Sequence, residues 1–128
     1  MDIQELVRAQ RAYFLSGATR PYTFRMEQLK KLQQALRANE VLLEQAMYQD
    51  FRKAPMEVYM CETGMVLEEL RFHLKHLKGW MRERAVPTPL AQFHAKSFVS
   101  PEPYGVALII SPWNYPVQLC LSPLVGAI

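Results

Sequence analysis

Charge and proline divide this chain before any helix or strand is considered. Of its 15 basic and 12 acidic side chains, only Lys96 and Glu102 lie beyond residue 86, and so do seven of the nine prolines. From Tyr104 to Ile128 there is no charged side chain at all. So apolar a stretch needs cover from water, and its prolines bar it from being one regular helix or one interior strand. The chain therefore joins a charged, proline-poor part, residues 1–86, to an almost uncharged, proline-rich part, residues 87–128. The last residues, LSPLVGAI, are still apolar, where a free terminus ordinarily frays into water. The expectation is a piece of a longer protein.

Composition excludes several functions. With 128 residues, half of them hydrophobic, the chain suffices for one domain with a core, and wholesale disorder is excluded. A net charge of +3, with no basic tract carrying interleaved aromatics, argues against a nucleic-acid partner. Cys61 and Cys120 lie far apart with no CxxC pair, which is neither a disulfide framework nor a zinc site and fits a reducing cytosol. The charged N-terminus, MDIQELVRAQ, is no secretory signal. The uncharged run from Tyr104 is long enough to span a bilayer, but Pro112, Asn114, Pro116, Gln118 and Pro123 interrupt it, so a membrane span is set aside.

The first part reads as three helices. Asp2 is placed to cap one over IQELVRAQRAYFL, with Gly17 as its stop. Arg20-Pro21 breaks the chain. Thr23 opens a second helix, with Leu29, Leu32, Leu36, Leu43 and Met47 at helical spacing and Asn39 marking a kink. The pattern lapses at Asp50-Phe51-Arg52-Lys53, whose charges read as covering a helix end. Pro55 suits the first turn of a third helix. Its stripe is Met56, Met60, Thr63, Leu67, Leu70, Leu74, Leu77 and Met81, widened by Tyr59, Val66 and Trp80. A rod of about 45 Å is expected, too long for a compact bundle and therefore lying across a larger body.

Val86-Pro87-Thr88-Pro89 reads as a stiff linker, AKSFVS as a strand and PEP as a turn. YGVALII is a short continuous apolar run rich in branched residues, as expected of a strand covered on both faces. Pro116 opens a last helix over VQLCLSPLVGAI. Strand, tight turn and helix together make the opening half of a βαβ unit, so the fold class is α/β. Ligands in such sheets bind just beyond the carboxyl ends of the strands, and SPWNYP lies there. A mere connection has no need of large aromatics, nor of two prolines fixing an asparagine between them.

At residues 103–128, PYGVALIISPWNYPVQLCLSPLVGAI, the sequence resembles the aldehyde dehydrogenase superfamily. A glycine before the strand, Pro-Trp-Asn after it and a Pro-Leu-Val-Gly-Ala helix carry the resemblance. Tyr115 and the short N-terminus are similar to the class 3-like branch, which includes fatty, aromatic and coniferyl aldehyde dehydrogenases. Residues 1–86 match more loosely, through the spacing of the helices, the break at residues 50–53 and Pro55. The resemblance implies the N-terminal part of that fold: three helices, then a linker, a bridging strand and the strands that open a dinucleotide-binding parallel sheet. It implies oxidation of an aldehyde substrate to an acid with NAD or NADP, in a cytoplasmic homodimer. Asn114 would donate its side-chain amide to the developing oxyanion. The backbone at Ile110, Ser111, Pro112 and Trp113 would line the cofactor cleft, and Tyr115 and Gln118 would face the aldehyde channel. The family's nucleophilic cysteine, its general-base glutamate, its cofactor-binding lysine and its glycine motif match nothing in these 128 residues.

Plainer readings stand beside these. Asn114 also suits a turn residue bonding its own backbone. Cys120 follows the motif by six residues but reads as a small core residue of the last helix rather than a nucleophile. Cys61 reads as packing or surface. His73 and His76 lack further ligands for a metal and read as a solvated face. From a different class, the chain would serve as a non-catalytic helical interaction module whose apolar tail docks on a partner.

Overall fold

The structure, a computed structural model, describes residues 2–128. Helix α1 covers Ile3–Leu15; Asp2 stands at its cap position, but its side chain makes no capping bond. Helix α2 covers Tyr22–Ala38 and α3 Glu40–Phe51. The break between them falls at Asn39, as the sequence predicts. Its side-chain amide donates to the Ala35 carbonyl at 2.8 Å, a local bond that competes with the helical ladder. Helix α3 ends at Arg52, which adopts the left-handed conformation with φ 61°. A non-glycine residue held there stores about 1–2 kcal/mol of strain.

Pro55 opens one continuous helical rod: α4 (Pro55–Val58), a π-turn (Tyr59–Thr63) and α5 (Gly64–Trp80). The rod ends at Trp80 and is about 40 Å long at ~1.5 Å per residue. The π-turn adds a residue to the local repeat and rotates the buried stripe. Met56 and Met60, expected to be buried, are exposed, and Val58 and Glu62 are buried in their place, while Thr63, on the expected stripe, is buried. Beyond the π-turn the expected stripe holds at Val66, Leu67, Leu70 and Leu77, which are buried, while Trp80, expected to widen it, is exposed.

The core lies between three helices. Leu29 and Leu36 of α2 meet Val66, Leu67, Leu70 and Leu77 of α5, and Val125 of α6 (Pro116–Ala127) closes the other side. Tyr22, Met26, Leu32, Leu43, Leu74, Val117 and Leu121 rim this cluster. Helix α1 buries none of its residues and rests at the edge, where Tyr13 meets Phe24 edge-on.

The charge boundary near residue 86 is crossed by structure. Val86 belongs to a strand rather than to a free linker: β1 (Arg84–Val86) pairs antiparallel with β2 (Ser97–Val99), Ala85 facing Phe98. The Thr88 hydroxyl accepts from the Ser97 amide at 3.1 Å and so ties the connection down. The AKSFVS strand is thus present. The second expected strand is not: residues 104–110 have no regular secondary structure, and Tyr104, Leu108 and Ile110 are almost fully exposed. An extended apolar run becomes a strand only beside a partner that pairs with its backbone, and no described residue pairs with it. Cys120, expected in the core, is exposed on α6.

Candidate functional site

The turn of residues 111–115 joins the unpaired apolar segment to α6. Pro112 and Pro116 each fix φ near −65°. Pro116 occupies the first turn of α6, where a missing N–H costs nothing. The next amides of a helix need acceptors, and the cap residue, Tyr115, supplies none from its side chain. The acceptor comes from another helix. Glu62, on the π-turn, takes a hydrogen bond from the Val117 amide at 3.1 Å and one from the Gln118 amide at 3.0 Å, both on Oε2. A carboxylate in that place also faces the positive end of the helix dipole.

Glu62 is fully buried, so its charge needs a partner. Lys53 provides it. Its Nζ donates to Glu62 Oε1 at 2.8 Å and to the backbone carbonyl of Asn114 at 2.8 Å. The same ammonium lies 4.3 Å from the centroid of the Tyr115 ring and 5.4 Å from that of Phe51. With its side chain 11% exposed, Lys53 is nearly as enclosed as its partner. Removing one member of so buried a pair typically costs about 3–5 kcal/mol.

The left-handed Arg52 ends α3 one residue before this lysine. At the other partner, Gly64 closes the π-turn: its amide donates to the Tyr59 carbonyl, and a side chain there would collide with that oxygen. The π-turn carries Glu62 onto the inner face, in steps of four with Val58, Val66 and Leu70. Thr63 beside it is buried with its hydroxyl unpaired among the described residues.

Asn114 is therefore held by its main chain. Its side chain is exposed, with no hydrogen bond from its amide among the described residues. Ile110 and Trp113 are each 85% exposed; Pro112 is exposed and Ser111 half-buried. Tyr115 lays its ring on the Lys53 ammonium and remains 38% exposed. Gln118 is half-buried, its amide on Glu62. Asn114, Tyr115 and Gln118 thus gather around one ion pair, with Ile110–Trp113 on the open side. Cys120 and the pair His73 and His76 stand apart from them. His73 and His76 group with Phe72 and Trp80, the His76 and Trp80 rings stacking at 5.8 Å. No group of three or more His, Cys, Asp or Glu suited to a metal occurs among the described residues.

Lys53 and Glu62 are the residues that sequence reading misses. Lys53 does not cover a helix end, as expected of it, but enters the interior. A charged tetrapeptide between helices looks solvated, and nothing local reveals a partner nine residues on. The usable signal is Glu62, a carboxylate repeating with Val58, Val66 and Leu70 on an otherwise apolar face.

Comparison with known proteins gives the family. Residues 1–128 match the aldehyde dehydrogenase family. The chain is 41% identical over 126 residues to the 4,4'-diaponeurosporen-aldehyde dehydrogenase of Staphylococcus aureus, covering 98% of this chain and 28% of that protein. It is 43% identical over 118 residues to aldehyde dehydrogenase family 3 member B1 of Bos taurus, covering 92% of this chain and 25% of the relative. A solved substrate-bound state of Staphylococcus aureus AldH superposes with a TM-score of 0.92 at 41% identity, over 99% of this chain and 28% of that one. The chain thus spans little more than a quarter of the length of these relatives, with the fold of the corresponding part. By its full-length match, its fold and the family 3 name among its relatives, this chain belongs to the aldehyde dehydrogenase family.

Proposed function

We propose that the chain works as the N-terminal part of an NAD(P)-dependent aldehyde dehydrogenase oxidising aldehydes to carboxylic acids, with Asn114 as the oxyanion donor. One observation carries this reading: Asn114 is fixed through its carbonyl by a buried ammonium while its side-chain amide stays exposed and, among the described residues, unpaired. An amide donor is neutral at every working pH, and it helps only if held in place before the reaction. When a thiolate from the remainder of the protein attacks an aldehyde, negative charge gathers on the carbonyl oxygen. The Asn114 NH₂ donates to that oxygen, more strongly in the transition state than in the ground state.

The segment Ile110, Ser111, Pro112 and Trp113, exposed except at the half-buried Ser111, fits the wall of a dinucleotide cleft. Bound NAD or NADP supplies the hydride acceptor. Tyr115 and Gln118 border the aldehyde on the helix side. In this reading residues 1–86 form a helical segment, and residues 87–128 supply linker, bridging strand and the first strand of a parallel sheet. Residues 104–110 pair only when the neighbouring strands are present. A cytoplasmic homodimer, built partly through β2, completes the proposal. No helix among the described residues is long and apolar enough to cross a membrane.

The test is Asn114→Ala in the full-length protein. Loss of the donor lowers kcat and kcat/KM together by about 10²-fold or more, roughly 2.7 kcal/mol, with cofactor Kd and melting temperature close to the parent values. Near-normal turnover in a stable variant removes the assignment. Weakened cofactor affinity and lowered melting temperature with a modest kcat loss would make Asn114 a turn residue only.

A further inference from the structure

We propose that Lys53 and Glu62 are positioning residues for Asn114, a buried ion pair that ties the asparagine's turn at both ends. The inference rests on the oxyanion role given to Asn114 above. A short turn between two prolines is stiff within itself, but stiffness does not fix where the turn sits relative to the rest of the molecule. Two anchors do. Upstream, the Lys53 Nζ holds the Asn114 carbonyl at 2.8 Å. Downstream, Glu62 Oε2 holds the Val117 and Gln118 amides at 3.1 and 3.0 Å, so the first turn of α6 cannot rotate or slide. The 2.8 Å bond from Lys53 to Glu62 Oε1 joins the two anchors into one unit. The Tyr115 ring, 4.3 Å from the same ammonium, closes the gap between them.

Charge balance favours positioning over a direct electrostatic role. The lysine and glutamate neutralise each other, so the pair adds no net charge beside the developing oxyanion. It adds direction. Every bond that it makes to the turn goes to main chain, at residues 114, 117 and 118, and none to the Asn114 side chain, which stays free to donate. Both partners come from a frame that the core holds: Glu62 sits on the rod whose Val66 and Leu70 are fully buried, and Lys53 follows α3. A displacement of the donor by about 1 Å is enough to cost up to 10²-fold in rate.

The test is a cycle in the full-length protein. The variant Lys53→Met with Glu62→Gln removes both charges and so leaves no unpaired buried ion. The introduced glutamine keeps a side-chain oxygen to accept from the Val117 and Gln118 amides, so the deleted contacts are those of the Lys53 ammonium: to the Asn114 carbonyl, to Glu62 Oε1 and to the Tyr115 ring. The double substitution is made in the parent and in the Asn114→Ala background. In the parent it lowers kcat about tenfold or more, with aldehyde KM and cofactor Kd within about twofold. In the Asn114→Ala background, where no donor remains to misplace, it lowers kcat less than about twofold. An equal loss in both backgrounds, or none in the parent, overturns the inference. If Asn114→Ala alone turns over normally, the oxyanion assignment itself has failed, and this inference with it. If Asn114→Ala is crippled and the paired variant is not, only the positioning role has failed. Should the paired variant not fold, Lys53→Arg, which keeps a positive charge opposite Glu62 but changes the geometry of the bond to the Asn114 carbonyl, goes through the same cycle and is read by the same two outcomes.

Discussion

Gly64 is the residue on which the π-turn depends. Its amide reaches the Tyr59 carbonyl five residues back, and there is no room for a Cβ against that oxygen. In an ordinary helix interior, alanine is favoured over glycine by about 1 kcal/mol. Here the sign reverses: Gly64→Ala is expected to destabilise the protein by about 1–3 kcal/mol, seen as a lower denaturant midpoint. It also shifts Glu62, two residues earlier, so its effect on turnover exceeds its effect on stability. An unchanged or raised midpoint would show that the close approach relaxes at no cost. The same contrast runs through the candidate site. Asn114 is legible in the sequence because prolines and aromatics around one polar residue are costly unless they hold something. Lys53 and Glu62 are not, because their pairing depends on where α3, the rod and α6 meet. The phase of the π-turn decides that meeting, and no local propensity encodes it.

At the scale of elements, periodicity succeeds where a helix packs on its neighbours and fails where geometry departs from 3.6 residues per turn. Leu29 and Leu36 on α2, and Leu67, Leu70 and Leu77 on α5, are core residues in both sequence and structure. Met56 and Met60 are misplaced by the π-turn alone. Residues 104–110 fail for another reason: a strand is a property of a pair, and its sequence signal shows only half of it. Outside the core, α2 carries one pair whose effect is readable from pH. Glu27 and Lys31 stand four apart with Nζ and Oε1 2.8 Å from each other, and the hydrogen bond from Lys31, aided by its charge, holds the Glu27 carboxyl below its ordinary value. A depressed carboxylate stabilises the fold above its unfolded value, and the contribution is lost as pH falls through the folded one. Glu27→Gln should therefore lower the melting temperature slightly at pH 7, not at all once both states are protonated, and less in molar salt. A deficit that persists unchanged in acid would assign the effect to side-chain packing instead.

At the scale of the whole chain, the asymmetry of charge becomes an asymmetry of surface. The charged part builds a three-helix core with α6, whereas the segment leading to the candidate site is exposed. Leu108 is 84% exposed, and Tyr104, Ile110 and Trp113 accompany it. Beyond residue 86 only Lys96 and Glu102 oppose association through charge. An apolar run whose backbone groups lack partners is a template for pairing with another copy. The 128 residues alone are thus expected to self-associate, which sedimentation across micromolar concentrations would detect; a clean monomer would contradict this reading of the exposed segment. The same chain alone should form no NAD(P)H from any aldehyde. In its proposed role Asn114 stabilises an oxyanion but cannot create one, and Cys120, the sole cysteine near it in sequence, lies exposed on α6. Activity above a no-protein blank would return Cys120 to consideration as a nucleophile. Activity that appears only in the full-length protein and falls with Asn114→Ala would place the donor here and the reacting thiol elsewhere.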